Sequence, residues 1–185
     1  MRKRVTQPMA IFTVRKLVKK FGRDRKASAA VEFALIAGPL IFLICACIEL
    51  ALVILLSVSL DNATDVAARQ IRTGISTSGN TSLNAFKQKV CDNMGWLSGS
   101  CMSSLKVDVT TYNNFSEIPT VDLVKNGQFD DAAFKFNIGG ASKIQLVRAY
   151  YAWPLITPFL SAGLTTLSNK DAVITSKVVF RNEPF

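Results

Sequence analysis

FALIAGPLIFLICACIELALVILLSVSL, residues 33–60, decides how the rest of this chain is read. Its one ionisable carboxylate is Glu49, and its hydroxyl residues are Ser57 and Ser59. About 20 consecutive apolar residues suffice to cross a bilayer. A chain of 185 residues has too little other sequence to bury 28 apolar positions as an internal helix. The stretch is therefore expected to span a membrane once. A cleavable secretory signal is the competing reading. The run is too long for one and has no A-x-A-like site at its far end, so the helix is expected to stay attached.

Charge is distributed around this stretch unevenly. Residues 1–27 carry ten basic residues, Arg2, Lys3, Arg4, Arg15, Lys16, Lys19, Lys20, Arg23, Arg25 and Lys26, against the single acid Asp24. That leader alone holds the chain's net charge of +9, and the remainder is neutral. A basic run abutting a span is ordinarily a topology signal and a contact for anionic lipids, not a nucleic-acid site. After the span, residues 61–75 hold only Arg69 and Arg72 against Asp61 and Asp65. The basic side is expected to stay in the cytoplasm and the C-terminal part to be exported. Within residues 9–21, Ile11, Phe12, Val14, Leu17, Val18 and Phe21 interleave with Arg15, Lys16, Lys19 and Lys20. That spacing fits an amphipathic helix on the membrane surface, and a disordered basic leader fits it equally.

Two carboxylates sit where a bilayer disfavours them. Glu32 stands at the mouth of the apolar run and Glu49 inside it. A charged side chain in hydrocarbon costs about 2.5–3.5 kcal/mol on insertion scales. Each needs a partner, or else protonates or snorkels without a role. Seventeen positions separate them, about 25 Å at 1.5 Å per helical residue. Glu49 therefore falls toward the outer half of the bilayer, within reach of water or another subunit. Gly38-Pro39 predicts a local bend in the span.

Beyond Leu60 the helix is expected to continue, with Leu60, Ala63, Ala67 and Ile71 on one face and Asp65 and Arg69 as an i,i+4 pair. It should stop near Gly74, and Ser76–Ser82 (STSGNTS) reads as a turn. Thr81 or Ser82 is placed to cap a second helix over Leu83–Met94. Cys91 and Cys101 lie ten positions apart. In an oxidising compartment they read as a disulfide; free thiols or a metal half-site are the alternatives, the latter disfavoured by the absence of histidine. Cys45 and Cys47, in the span, read as small apolar packing residues. Leu105–Thr111, Ala133–Asn137, Ile144–Trp153 and Ala172–Arg181 carry strand patterns. Gly139-Gly140 suggests a hairpin. The expectation is an α+β chain: a long N-terminal transmembrane helix, then a small sheet of about four antiparallel strands with one face buried. Pro154 and Pro158 bracket an apolar segment that cannot continue a central strand. It reads either as a cover for the core or as a surface that docks on another protein.

At residues 23–50, RDRKASAAVEFALIAGPLIFLICACIEL, the chain resembles TadE-like proteins, the minor pseudopilins of the tight-adherence (Tad/Flp) pilus. In that family a basic leader is followed by a small residue, four more residues, then Glu and an aromatic, and then the apolar helix. The resemblance implies leader processing between Ala27 and Ser28, with Glu32 and Phe33 as the fifth and sixth mature positions. The family typically has Gly where this chain has Ala27. The ending VVFRNEPF (Val178–Phe185) and the segment Ile144–Pro158 resemble the family's C-terminal part. The resemblance implies a pilin-like plan, with Glu32 pairing with the terminal amine of a neighbouring subunit as helices bundle. It assigns assembly roles to Glu32 and Phe33, with Glu49 as a further candidate. Its implied partners are other pilins or pseudopilins, the pilus assembly platform, a prepilin peptidase and inner-membrane lipids.

No G-x-S-x-G, P-loop or metal-ligand cluster is present in the sequence, and without histidine the commonest acid–base chemistry is missing. The reading is a non-enzymatic chain with no catalytic residues, no metal and no cofactor. Its expected organisation is a basic cytoplasmic leader over 1–27, a transmembrane helix continuing into the periplasm over 28–73, and a periplasmic α+β domain over 74–185. The expected function is a minor pseudopilin-like inner-membrane subunit in assembly of an adhesive Tad/Flp-type pilus. The alternative is an unprocessed single-pass scaffold with a periplasmic interaction domain.

Overall fold

A computed structural model describes residues 25–95, 98–120, 123–164 and 166–185. The amphipathic reading of residues 9–21 lies outside them, as does most of the basic leader. The elements run α1 (Arg25–Arg72), α2 (Leu83–Asn93), α3 (Ser98–Ser104), β1 (Leu105–Tyr112), β2 (Val124–Lys125), β3 (Gln128–Phe129), β4 (Ile144–Pro154), α4 (Pro158–Leu164) and β5 (Asp171–Arg181). The architecture is α+β: a long N-terminal apolar helix followed by a small antiparallel sheet domain.

The 48-residue helix α1 has two regimes. Up to Cys45 it belongs to one compact unit, and from Ala46 onward to the unit that contains the sheet. In the first, Phe33, Leu35, Ile36, Ile41 and Leu43 are all exposed. A helix that is apolar all round needs either a protein core or lipid around it, and this one is long and apolar enough to cross a membrane. Helical structure runs unbroken through Gly38 and Pro39. In the second regime one stripe is buried: Leu56, Leu60, Ala63, Ala67 and Ile71. Their spacing of three and four residues keeps them on one face. The helix ends where Gly74 adopts a φ of +77°, a conformation that side chains resist.

The stripe packs into one apolar core with Phe86 and Val90 of α2 and with Val107, Val109, Val147, Ala149, Tyr151 and Ile174 of the sheet. Ser82 caps α2 by accepting the Ala85 N–H at 3.2 Å. Cys91 and Cys101 form a disulfide with Cα atoms 5.6 Å apart, both fully buried. It ties the end of α2 to α3, a short serine-rich helix that the sequence pattern did not suggest. Closing so short a loop limits the unfolded chain by about 2–3 kcal/mol. We expect the Cys91→Ser/Cys101→Ser variant to lose about that much stability in a urea titration read by near-UV dichroism. An unchanged midpoint would show that the bridge holds nothing together.

The sheet has three strands, ordered β1-β4-β5, and both pairings are antiparallel. The expectation of about four strands is corrected here. The Ala133–Asn137 segment forms only an isolated bridge, Val109 with Phe136, and runs parallel to β1. Its hydrogen bonds are the Val109 N–H to the Lys135 carbonyl and the Asn137 N–H to the Val109 carbonyl, each 2.8 Å. Gly139-Gly140 consequently lies on the connection to β4, which pairs with the other edge of β1, and is not a hairpin turn. The tight hairpin is instead β2–β3, turned by Asn126-Gly127 with both residues at positive φ.

The sheet also buries more than one face, against expectation. The first eight residues of β4, Ile144–Tyr151, are all buried. The face opposite α1 is covered by Phe129 and Phe134, whose rings meet Tyr150 edge-on at 6.2 and 5.6 Å. Lys106 lies over the Phe129 ring at 5.0 Å and pairs with Asp131. Under that cover, Asp108 and Arg148 form a buried ion pair across directly opposed positions of β1 and β4.

Candidate functional site

Glu49 is 8% exposed, although it follows a run in which no described residue from 29 to 48 is buried. Its carboxylate accepts the backbone N–H groups of Ile156 and Thr157, the latter at 2.8 Å. These donors lie between the two prolines. Pro154 ends β4, where it is paired with Asp171. Pro158 opens α4, and a residue before proline is steered to extended backbone. Two consecutive amides are thus freed from the sheet and turned onto one side chain. Charge-assisted hydrogen bonds of this kind are about twice as strong as neutral ones. The Ser161 N–H then donates to the Thr157 carbonyl at 3.0 Å, starting the short α4.

Glu49 therefore sits at the head of the stripe that α1 turns toward the sheet domain. It marks the position along α1 where cover by that domain begins. Apart from the buried Thr157, the bracketed segment adds nothing to the apolar core. Its backbone holds Glu49, while Ile156 is 89% exposed.

On the outward side of the same helical stretch, Leu50, Ile54, Leu55 and Val58 are exposed. Leu50, Ile54 and Val58 are spaced by four and form a ridge. Polar residues replace them only from Asp61, followed by Asn62, Asp65 and Arg69.

At its other end α1 is latched by the C-terminal tail. The Glu183 N–H donates to the Arg72 carbonyl at 2.9 Å, and the Glu183 carboxylate lies 3.3 Å from Arg72 Nε. Asn182 is buried and donates through Nδ2 to the carbonyls of Gly139 and Gly140, 2.9 Å each. The Phe185 ring lies over Gly74, where a Cβ would come within 2.5 Å of it. A latch for the helix is the structural use of the Asn182-Glu183-Pro184-Phe185 ending.

The remaining candidates lie at other points along the chain. Glu32 and Phe33 are exposed on the early turns of α1. Ala27 and Ser28 lie within the helical backbone that begins at Arg25. Cys91 and Cys101 are joined to each other inside the core. Cys45 and Cys47 are free and exposed on the apolar run. The Ile156 and Thr157 donors were not visible in the sequence, because backbone amides leave no residue signature. The only hint was the Pro-x-x-x-Pro spacing.

Among the described residues, one apolar N-terminal helix fit for membrane anchoring, followed by a disulfide-bonded α+β body, defines the class of this chain. Comparison adds a family likeness: the TadE-like protein family matches residues 27–69, and over that segment the chain is similar to TadE-like proteins. No curated protein and no solved structure matches it significantly.

Proposed function

We propose that this chain is a minor pseudopilin-like subunit that takes part in assembly of a Tad/Flp-type pilus. It is held in the inner membrane with its N-terminus in the cytoplasm and its body in the periplasm. The observation that carries this reading, beside the TadE-like match, is the uncovered ridge Leu50-Ile54-Val58. From Ala29 to Leu60 the helix has 32 residues without a basic side chain. At 1.5 Å per residue that is about 48 Å, against about 30 Å of hydrocarbon. Lipid cannot cover the whole of it. The surplus is apolar on the side that the body leaves bare, which suits a helix passing from lipid into a bundle of like helices.

The leader is cut between Ala27 and Ser28 by a prepilin peptidase, and the new amine lies at the membrane boundary. Glu32 pairs with such an amine on a neighbouring pilin or pseudopilin, relieving the cost of two charges in an apolar setting. The assembly platform draws the processed helix from the bilayer. Cleavage also removes the whole net positive charge, so that the mature chain is neutral.

Intact mass and N-terminal sequencing of the membrane-extracted protein test this. We expect a chain that begins at Ser28. A full-length chain would favour an unprocessed inner-membrane scaffold instead. In a strain making pili, Glu32→Ala should lower the amount of this protein recovered with sheared or membrane-held pilus assemblies. Unaltered recovery would remove Glu32 from assembly.

A further inference from the structure

We propose that the segment from Leu155 through α4 is a second membrane contact, in which Ile156 enters the outer headgroup–acyl boundary of the bilayer that α1 crosses. The proposal rests on α1 being a membrane span. Lys26 is the last basic residue before the apolar run. About 20 helical residues cross the hydrocarbon, so a span that starts just after Lys26 ends close to Glu49. The amides of Ile156 and Thr157 are bonded to the Glu49 carboxylate. The segment is thereby held at the level where α1 leaves the lipid.

Its composition suits that level. Pro154–Asn169 contains no charged residue, in a chain that is 19% charged. Ile156 is 89% exposed, and Leu164 is exposed at the end of α4. Trp153, half-buried, precedes the segment, and tryptophan favours the membrane–water boundary. The apolar area is small and centred on one side chain. A stable protein interface commonly takes about 800 Å² from each partner and needs matched shape. Lipid needs no matched shape and covers a single apolar tip as readily as a broad face. The bare ridge of α1 is the larger surface for another subunit. Glu49 then holds the segment beside the turn of α1 that follows the span.

Depth-dependent fluorescence quenching tests this on the full chain reconstituted in phosphatidylcholine vesicles. Cys45 and Cys47 are replaced by alanine and the Cys91–Cys101 bridge is left oxidised. An environment-sensitive nitrobenzoxadiazole label is attached at Ile156→Cys, Ile41→Cys or Ser78→Cys in separate samples. The lipids carry bromine either near the acyl carbonyls or near the chain ends. We expect the label at 156 to be blue-shifted and quenched more by shallow than by deep bromine. At 41, within the apolar run, the order should reverse. At 78, on the exposed turn after α1, neither lipid should quench. A label at 156 that behaves like that at 78, while 41 is quenched, overturns the proposal and leaves the span intact. A blue-shifted label at 156 that neither lipid quenches also overturns it, by showing protein cover. Loss of quenching at both 41 and 156 removes the span reading, and the proposal with it.

Discussion

Arg148→Ala should cost this protein about 3–5 kcal/mol, the range for stranding one member of a buried ion pair. Arg148 Nε and Nη2 donate to Asp108 Oδ2 at 3.0 and 2.8 Å, and the Asp108 side chain is fully buried. Without the guanidinium, that carboxylate keeps the Lys135 N–H, which donates to its Oδ1 at 2.8 Å. One backbone amide does not replace a cation in a site closed to water. Removing both charged groups should hurt less. Arg148→Met/Asp108→Leu leaves no buried charge, but the Lys135 N–H loses its acceptor, at about 1–3 kcal/mol. The expected order of urea midpoints, read by tyrosine and tryptophan fluorescence of the detergent-solubilised chain, is parent, double variant, then Arg148→Ala. An Arg148→Ala midpoint within about 0.5 kcal/mol of the parent, as for an ordinary surface substitution, would sink the argument. The pair also bears on register. Asp108 and Arg148 are directly opposed in β1 and β4. A slip of one residue would turn one of these charges toward the apolar core shared with α1.

That pair shows why some of the fold was legible in the sequence and some was not. The long helix announced itself through unbroken apolarity, and its buried stripe through three- and four-residue spacing. Local chemistry offered Thr81 or Ser82 as the cap and a Cys91–Cys101 bridge beside free thiols or a metal half-site, and the structure takes Ser82 and the bridge. Strands β1, β4 and β5 lie within a residue or two of the alternating segments. The segment around Phe136 was misread because its alternation is real but its pairing is not strand-like. Phe136 meets Phe86 on the helix side at 5.9 Å, while Phe134 meets Tyr150 on the far side. A two-sided edge segment alternates just as a hairpin strand does. The second covered face depends on where residues 128–136 return to the sheet, which no local pattern records. Of the candidate site, Glu49 was visible as a carboxylate out of place. Its donors lie 107 and 108 positions away, and only the folded chain brings them together.

Glu49→Leu should open the bracketed segment while leaving the sheet intact. The substitution removes both acceptors at once. Ile156 is exposed, and its N–H can turn to water or to lipid headgroups. Thr157 is 7% exposed and its N–H cannot do so without local opening. The cost therefore falls on Thr157, at about 1–3 kcal/mol for a buried unsatisfied donor. Read as hydrogen exchange, that is a rise of about five- to 150-fold at the Thr157 amide. The central-strand amide of Val147 should exchange as in the parent. Glu49→Gln should fail in the same way, although it keeps the shape. Its carboxamide offers one oxygen to one donor and turns its NH₂ toward the other, where two donors face each other. A glutamine that preserved slow exchange at Thr157 would show that shape, not charge and acceptor count, holds the segment. The same leucine should ease insertion of α1, though by less than the roughly 2.5–3.5 kcal/mol of a charge at a helix centre, because Glu49 stands at the end of the span. Anchoring would improve as the docking of the body loosens. The exchange rate separates the two readings of Glu49: faster exchange at Thr157 marks a carboxylate with a partner, and unchanged exchange in Glu49→Leu would leave it one without a role in holding the segment.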